Sequence, residues 1–476
     1  MRPDPWHGHV PAPVGSVDLR VDLATWSRVL ADIFDFSARE RAGALLVRAR
    51  PASDPDVLIG LSWMTVPDEY VIATKGGLAY DGRFNLRVAE AAAQSNCGAL
   101  IVHAHPGDGP PAPSTTDAEY GAAFLDFMRR RRPDAVHGLL VVADDTITGV
   151  AVSPLGARRV ERLVAAGIPT REWTAARRPP ARIAEDDRQL LAIGAHAQAR
   201  LAGATVAVIG NSGGGSHVTQ QLIHAGVGTL VVVDADVASE TNLRRLVGQV
   251  HADIDVTPKV EIAIRTAKAV RPSVAVEAYA ENFPSSDTIR ALRRADVIVG
   301  CVDGWDARDD LNTFALSHRI PYVDIGAAVA RPTDGLGVRV GGQVAVVTPD
   351  GACMRCMGLV TDANVDASRE GRRGYADDVP EPQVVSINGT LASEAVTATL
   401  MLLAGDDRVA RYRRYAYPPG KLVEVEASRS QECSSCRSAE LGCASDPPPP
   451  GPTANTSNPR PAWPRRLLPM VRRIFH

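Results

Sequence analysis

The sequence predicts a two-part chain, with an α+β domain in the N-terminal third and an α/β domain with a largely parallel sheet in the C-terminal half. Three observations carry this. Between Val17 and about Leu155, short apolar runs of strand character are interspersed with helical segments and a hairpin pattern. From Ile183 to about Glu426 strand and helix patterns alternate, which argues for parallel strands joined by crossover helices. At 204–216 the segment ATVAVIGNSGGGS runs from a strand of small and β-branched residues into a glycine-rich turn, with a helix from His217 to Ala225.

The 476 residues suffice for about two to four domains. The net charge of −3 excludes a globally basic nucleic-acid binder, so no nucleic-acid partner is expected. No run of about 18 apolar residues is evident, so no membrane span is expected. Residues 1–14 read as a flexible leader without the apolar core of a signal peptide, and the protein is read as cytoplasmic. Residues 15–155 form the first domain, 156–182 an Arg- and Pro-rich linker and 183–443 the second domain. Residues 444–476 form a tail that opens on Pro447–Pro450 and reads as disordered. Within that tail, Trp463–His476 mixes four arginines with apolar residues, as a solvated end or a short amphipathic contact helix.

In the first domain, Ala42–Val47 and Ala99–His103 read as buried strands and Leu86–Asn96 as a helix between strands. Gly138–Ala143 and Thr148–Ser153 read as a hairpin turning at Asp144 and Asp145. The segment 103–117, HAHPGDGPPAPSTTD, carries the first chemical constellation. His103 and His105 alternate at a strand end and so face one side. Ser114 suits a helix N-cap, with Asp117 in the first turn. Two imidazoles and a carboxylate suit zinc with a fourth position left for water, whose pKa zinc lowers. Glu40, in ERAGALLV, opens a strand.

Glu-x-x-Gly-x-Leu-Leu, His-x-His-Pro and Ser-x-x-Asp together resemble the JAB/JAMM (MPN) metallopeptidases, which cleave bonds after ubiquitin-like proteins. The resemblance implies His103, His105 and Asp117 as ligands of a catalytic zinc, Glu40 as general base and Ser114 as oxyanion donor. Eight residues separate His105 from Ser114, one more than the usual pattern, so a shift of Asp117 stays open.

In the second domain, Gly210, Gly213 and Gly215 remain of the glycine fingerprint, with Ser212 in place of its middle glycine. Such a turn lets backbone N–H groups meet a phosphate at a helix N-terminus. The next strand, Leu230–Asp234, ends in an acid of the kind that holds an adenosine ribose, which keeps an NAD-dependent oxidoreductase open. Further on come Asp236, Asn242-Leu-x-Arg245, Pro258-Lys259, and a strand ending at Asp303 with Arg308 beyond it. This set, with Asp187-Arg188-Gln189, Gln198 and Leu201 upstream, resembles the ThiF/MoeB superfamily, which includes the adenylation domains of ubiquitin-activating enzymes.

The resemblance covers roughly residues 183–430 and implies a Rossmann-like fold that binds ATP and Mg2+. Asp234 would hold the ribose and Asp303 the magnesium, and Asn242 would contact phosphate or metal. Arg245, Lys259 and Arg188 would offset triphosphate charge. In that family the entry-helix arginine serves the other subunit, which implies a homodimer.

Cys353-x-x-Cys356 and Cys433-x-x-Cys436 fit a closed structural zinc site, with redox chemistry as the alternative. Two such pairs about 80 residues apart also resemble the ThiF/MoeB pattern. Residues 357–432 contain no cysteine, so a thioester at the usual place of the activating enzymes is not expected. Cys97 and Cys301 read as packed residues and Cys443 as a possible acceptor at the edge of the tail. Asn364–Asp378 reads as a crossover loop.

Together these readings imply a zinc peptidase that trims or deconjugates a ubiquitin-like or sulfur-carrier protein, fused to a domain that adenylates its C-terminus. A sulfur donor or a separate conjugating enzyme would take the product. The alternatives are a sulfur-carrier adenylyltransferase for cofactor biosynthesis with a non-catalytic JAB domain, the oxidoreductase, and a scaffold of degenerate domains.

Overall fold

The computed structural model describes residues 10–35, 41–50, 56–72, 79–176, 186–330, 339–370, 384–417 and 420–440. Glu40, Cys443 and Trp463–His476 lie outside the described residues.

The first sheet is built from β1 (Pro13–Asp22), β2 (Ala42–Arg50), β3 (Val57–Thr65), β6 (Gly98–Ala104), β7 (His137–Val142), β8 (Ile147–Ser153), β9 (Gly156–Ala166) and β10 (Arg171–Thr174). β4 (Val71–Ile72) and β5 (Ala79–Tyr80) form a separate small pair. The strand order is β1-β3-β2-β6-β7-β8-β9-β10, and β1 also pairs with β9 along its length, so the sheet closes into a ring. Period-two alternation splits its side chains between two cores. Leu45 and Val47 join Trp26, Val29 and Ile33 of α1 (Leu23–Ile33), whereas Ala44 and Leu46 face α2 (Arg83–Gln94) and α3 (Thr115–Arg131).

The segment 156–182, expected as a linker, is instead largely part of the first sheet. Its first part is β9 and β10, paired with β1 and β8. Val160, Leu163, Ala165 and Trp173 are buried in the domain core, an apolar pattern that the local richness in arginine obscured. The leader expected over 1–14 likewise gives way to β1 at Pro13.

The second sheet has eight strands in the order β13-β12-β11-β14-β15-β16-β17-β18. They are β11 (Thr205–Ile209), β12 (Thr229–Val233), β13 (Ala275–Tyr279), β14 (Val297–Gly300), β15 (Tyr322–Ala330), β16 (Arg339–Val347), β17 (Tyr412–Tyr417) and β18 (Lys421–Glu424). The first five strands in that order are parallel and the last three run antiparallel. On one face, Val206 and Val208 pack with α6 (Gly213–Ala225), α7 (Lys259–Val270) and α11 (Val385–Ala404). On the other, Ala207 and Ile209 pack with α8 (Ser286–Leu292) and α9 (Trp305–Ser317). Two short helices, α4 (Asp187–Ile193) and α5 (Ala195–Gly203), precede β11.

α11 is long and apolar enough to cross a membrane, against the expectation of no such run, but half of it is buried and it serves the core. The crossover loop expected at Asn364–Asp378 begins as a helix, α10 (Asp362–Arg369), capped by the Thr361 hydroxyl and packed on α9. Residues 371–383 lie outside the described set. The C-terminal helix α12 (Ser434–Glu440) closes the described chain.

Candidate functional site

The nucleotide-type constellation gathers at the C-terminal edge of the parallel strands. Gly210 follows β11 with φ +88°, and a Cβ there would sit 2.7 Å from the Cys301 carbonyl. At Gly215 a Cβ would run into the Gly210 carbonyl, so only glycine lets the turn fold over the start of α6. The helix begins at Gly213, four residues earlier than the sequence pattern placed it, because the glycines themselves form its first turn. The unpaired N–H groups of that turn are the anion-binding element of such a fold.

Asp234 follows β12 directly. Its carboxylate accepts the backbone N–H of Asn211 at 2.7 Å and that of Asp236 at 2.9 Å. Lys259, almost fully buried at the start of α7, puts its Nζ 2.7 Å from the Asp236 carboxylate and 3.7 Å from Asp234. Burial pushes the Asp234 carboxyl up, and the Lys259 charge and the two N–H donors offset part of that. Arg245 is half-buried, and its Nε has no hydrogen-bond partner among the described residues, which suits a group waiting for an anion. Asn242 spends its Oδ1 locally, accepting from the Ser239 N–H at 3.0 Å and the Ser239 hydroxyl at 2.9 Å, so only its amide nitrogen is left for a ligand.

Asp303 is exposed three residues beyond β14, not at the strand's last position. Cys301 lies between them, partly buried, and burial pushes its thiol up, consistent with a packing residue. Arg188 is not brought to this constellation. It is exposed on α4, and its neighbour Gln189 donates to the carbonyl of Ala225 at the C-terminus of α6. The 13 residues of α6, about 20 Å, separate that end from the glycine turn.

Two residues beneath this edge escaped the sequence reading. Asn211 is fully buried, donates to the Lys259 carbonyl at 2.9 Å and accepts from the Thr219 hydroxyl at 3.0 Å, tying the turn to α7. Asp324 on β15 holds Arg308 and accepts from the Tyr322 hydroxyl at 2.8 Å. A polar side chain between the glycines of the turn, two residues past an apolar strand, was the signal for Asn211; an acid inside the apolar run YVDIG was the signal for Asp324.

The second constellation sits at the end of β6. The ligand atoms of His103, His105 and Asp117 lie within 4.8 Å of one another. The Asp117 carboxylate is 3.4 Å from His103 Nε2 and 3.2 Å from His105 Nε2. Ser114 is the N-cap of α3 in a capping box: its Oγ accepts the Asp117 N–H at 3.1 Å, and Asp117 accepts the Ser114 N–H at 2.7 Å. The Ser114 hydroxyl proton is left to donate elsewhere. His105 Nδ1 donates to the Ala112 carbonyl at 2.8 Å, which turns Nε2 toward the Asp117 carboxylate as the nitrogen that could ligate a metal.

Burial works to raise the Asp117 carboxyl, but the two imidazoles and the Ser114 N–H outweigh it and hold it well below the usual carboxylate range. Among the described residues, His103 Nε2 and Asp117 Oδ1 are buried without a hydrogen-bond partner. Buried polar atoms are ordinarily satisfied, so this donor set fits a bound cation. The eight-residue loop is held by Thr146, whose hydroxyl donates to the Gly109 carbonyl at 2.6 Å.

The four cysteines form a third cluster. Their sulfurs are 3.7 Å apart for Cys353–Cys356, 3.6 Å for Cys353–Cys433 and 3.7 Å for Cys356–Cys436. A tetrahedral zinc with bonds of ~2.3 Å requires edges of about 3.8 Å. The Ser430 N–H also points at the Cys356 sulfur, at 3.4 Å. The donor set fits a closed zinc site that would tie α12 to the segment after β16.

Parallel strands, a glycine turn at a helix N-terminus and an acid at the next strand end define a Rossmann-like α/β protein. Residues 186–436 match the ThiF family, and the chain belongs to that family. The SAMP-activating enzyme E1 of Haloferax volcanii is 36% identical over 166 residues, covering 35% of this chain and 57% of that protein. The sulfur carrier protein ThiS adenylyltransferase of Escherichia coli is 30% identical over 249 residues, 52% of this chain and 87% of that one. The crystal structure of E. coli MccB with MccA-N7isoASN aligns with a TM-score of 0.44 and 19% identity, covering 53% of this chain and 74% of that chain. The chain spans less than two-thirds of the length of the Haloferax relative.

Proposed function

We propose that the chain is an ATP-dependent adenylyltransferase acting on the C-terminal carboxylate of a ubiquitin-like or sulfur-carrier protein. The observation that carries this is the glycine turn, closed to any side chain at Gly215, with Asp234 and Lys259 beside it in a ThiF-family domain. The names of the relatives, an E1 activating enzyme and a carrier-protein adenylyltransferase, point the same way.

In this reading the turn's N–H groups and α6 receive phosphate oxygens, and Asp234 receives the ribose. Lys259 and Arg245 neutralise the charge that develops as the carboxylate attacks the α-phosphorus. Asp303 would hold Mg2+. With no cysteine in 357–432, the adenylate passes to a separate acceptor, such as a sulfur donor or a conjugating enzyme. The exposure of Arg188, away from its own chain's site, agrees with a homodimer in which it serves the partner.

The test is ATP–pyrophosphate exchange driven by a candidate carrier ending in glycine. Exchange that falls at least about 100-fold in Lys259→Ala supports the reading. No exchange with any glycine-ended carrier, by a protein that binds ATP–Mg, sinks it.

A second activity is proposed for the N-terminal domain, on the convergence of the His103, His105 and Asp117 ligand atoms within 4.8 Å. It is a zinc peptidase or isopeptidase that trims the carrier to its terminal glycine or removes it from conjugates. Bound zinc would supply an activated water there. Ser114 would donate to the oxyanion and Glu40 would move the proton.

A further inference from the structure

The contact between the two domains is a buried polar junction. On the N-terminal domain it uses the β1/β9 seam. Arg162 of β9 holds Asp18 of β1 at 2.8 Å and Glu172 at 3.4 Å, and reaches Asp296 of the other domain at 2.6 Å. Arg20 of β1, 2% exposed, donates to the Ala295 carbonyl at 3.0 Å. Asp296 is shared: its other oxygen accepts the Thr205 N–H at 2.8 Å. Glu172 is in turn 3.4 Å from Arg200 on α5.

Ala295, Asp296 and Thr205 all lie at the N-terminal ends of β14 and β11. The glycine turn, Cys301 and Asp303 lie beyond the C-terminal ends of the same two strands, about 16 Å away along the five residues of β11. The first domain therefore docks on the edge opposite the nucleotide constellation. Within the first domain, β6 is three strands from β1 by way of β3 and β2, and three from β9 by way of β8 and β7. The His103–His105–Asp117 cluster thus stands across the ring from the seam that makes the junction.

We infer that the two sites are mounted back to back, so that a carrier trimmed at the His103–His105 cluster is released into solution before its carboxylate reaches the nucleotide edge. This rests on the two activities proposed above. Trimming adds water across the bond after the terminal glycine and frees a carboxylate and an amine. Adenylation then forms a bond from that carboxylate to the α-phosphorus, and pyrophosphate leaves. The geometry places release and rebinding between the two steps.

An isotope-dilution experiment on the full chain tests this. The probe is a ubiquitin-like protein of the source genome carrying a short extension past its glycine. It is supplied unlabelled, with a tenfold excess of its isotopically heavy, already trimmed form, and with zinc and ATP–Mg. Hydroxylamine traps the activated carboxylate for intact-mass analysis. Release predicts that about nine-tenths of the early hydroxamate is heavy, the share set by the pools. Predominantly unlabelled hydroxamate at early times overturns the inference, whether handover is within a chain or between subunits. Two control arms separate this from failure of the functional reading: the extended form with zinc alone must be trimmed, and the trimmed form with ATP–Mg alone must release pyrophosphate. If either arm is silent, that reading falls and the inference with it.

Discussion

Arg308, in the first turns of α9, pairs with Asp324 of β15 at 2.7 Å with both side chains buried. The same guanidinium donates to the Val302 carbonyl at 2.9 Å and the Ile325 carbonyl at 3.0 Å. It thereby fixes the segment between β14 and α9, on which Asp303 is carried. Removing one member of such a pair strands a buried charge. Asp324→Ala is expected to lose about 3–5 kcal/mol in urea denaturation. A loss under about 1 kcal/mol would show that the pair does not organise this edge.

His137 gives the protein an acid sensitivity of its own. It is fully buried on β7, accepts the Ala99 N–H on Nδ1 and faces the Arg132 carbonyl with Nε2 at 3.0 Å, an arrangement that suits the neutral ring. Burial, with nearby Arg132 and Arg129, lowers its pKa to about 4. The unfolded ring titrates near 6.5, so between these values the unfolded state binds more protons. Its contribution is therefore complete above pH ~6.5 and is lost progressively as pH falls toward about 4. The full effect is of order 3 kcal/mol. Denaturation at pH 7 and pH 5 should show the loss in the wild type and a smaller one in His137→Gln. Equal slopes in the two proteins would remove His137 from the account.

Gly215→Ala separates the nucleotide reading from its alternatives. The added methyl meets the Gly210 carbonyl, so the turn must open or the helix must shift. ATP–Mg should raise the melting temperature of the wild type, and NAD should not, because only a bound ligand stabilises the native state. In Gly215→Ala the ATP–Mg shift should vanish. A wild-type shift with NAD alone would return the protein to the oxidoreductase reading.

The sequence made some of this legible and hid the rest for physical reasons. Strands β2, β6, β11 and β12 were readable because their apolar runs are short and bounded. The capping box at Ser114 and Asp117 was readable because both partners are local in sequence. β9 was hidden by Arg158, Arg159 and Arg162, which made a strand look like a linker; pairing with β1, more than 130 residues earlier, is what places them. Asn211 and Asp324 were hidden because their roles arise from packing between elements distant in sequence. The cluster at His103 was legible as chemistry, but the Ala112 carbonyl that orients His105 is a backbone atom, and no residue type announces it.

Metal content gives the most direct check on the two donor clusters. Each holds its ligand atoms within 4.8 Å, so the wild type purified with zinc should carry two ions per chain. The clusters differ in what their loss does. The four sulfurs tie together segments about 80 residues apart, and Cys353 and Cys436 sit in the core beside α9, so Cys353→Ser should lose one ion and unfold at markedly lower temperature. His103 and His105 lie at the end of β6, and the capping box of α3 at Ser114 and Asp117 is made without them. The pair His103→Ala and His105→Ala should lose the other ion, keep the four-cysteine zinc, and leave ATP–Mg stabilisation unchanged. Mass spectrometry under native conditions counts the ions, and a thermal melt reads the stability. Two ions retained in the double variant would mean that the cluster at the end of β6 is not a metal site, and the peptidase proposal would fall with it.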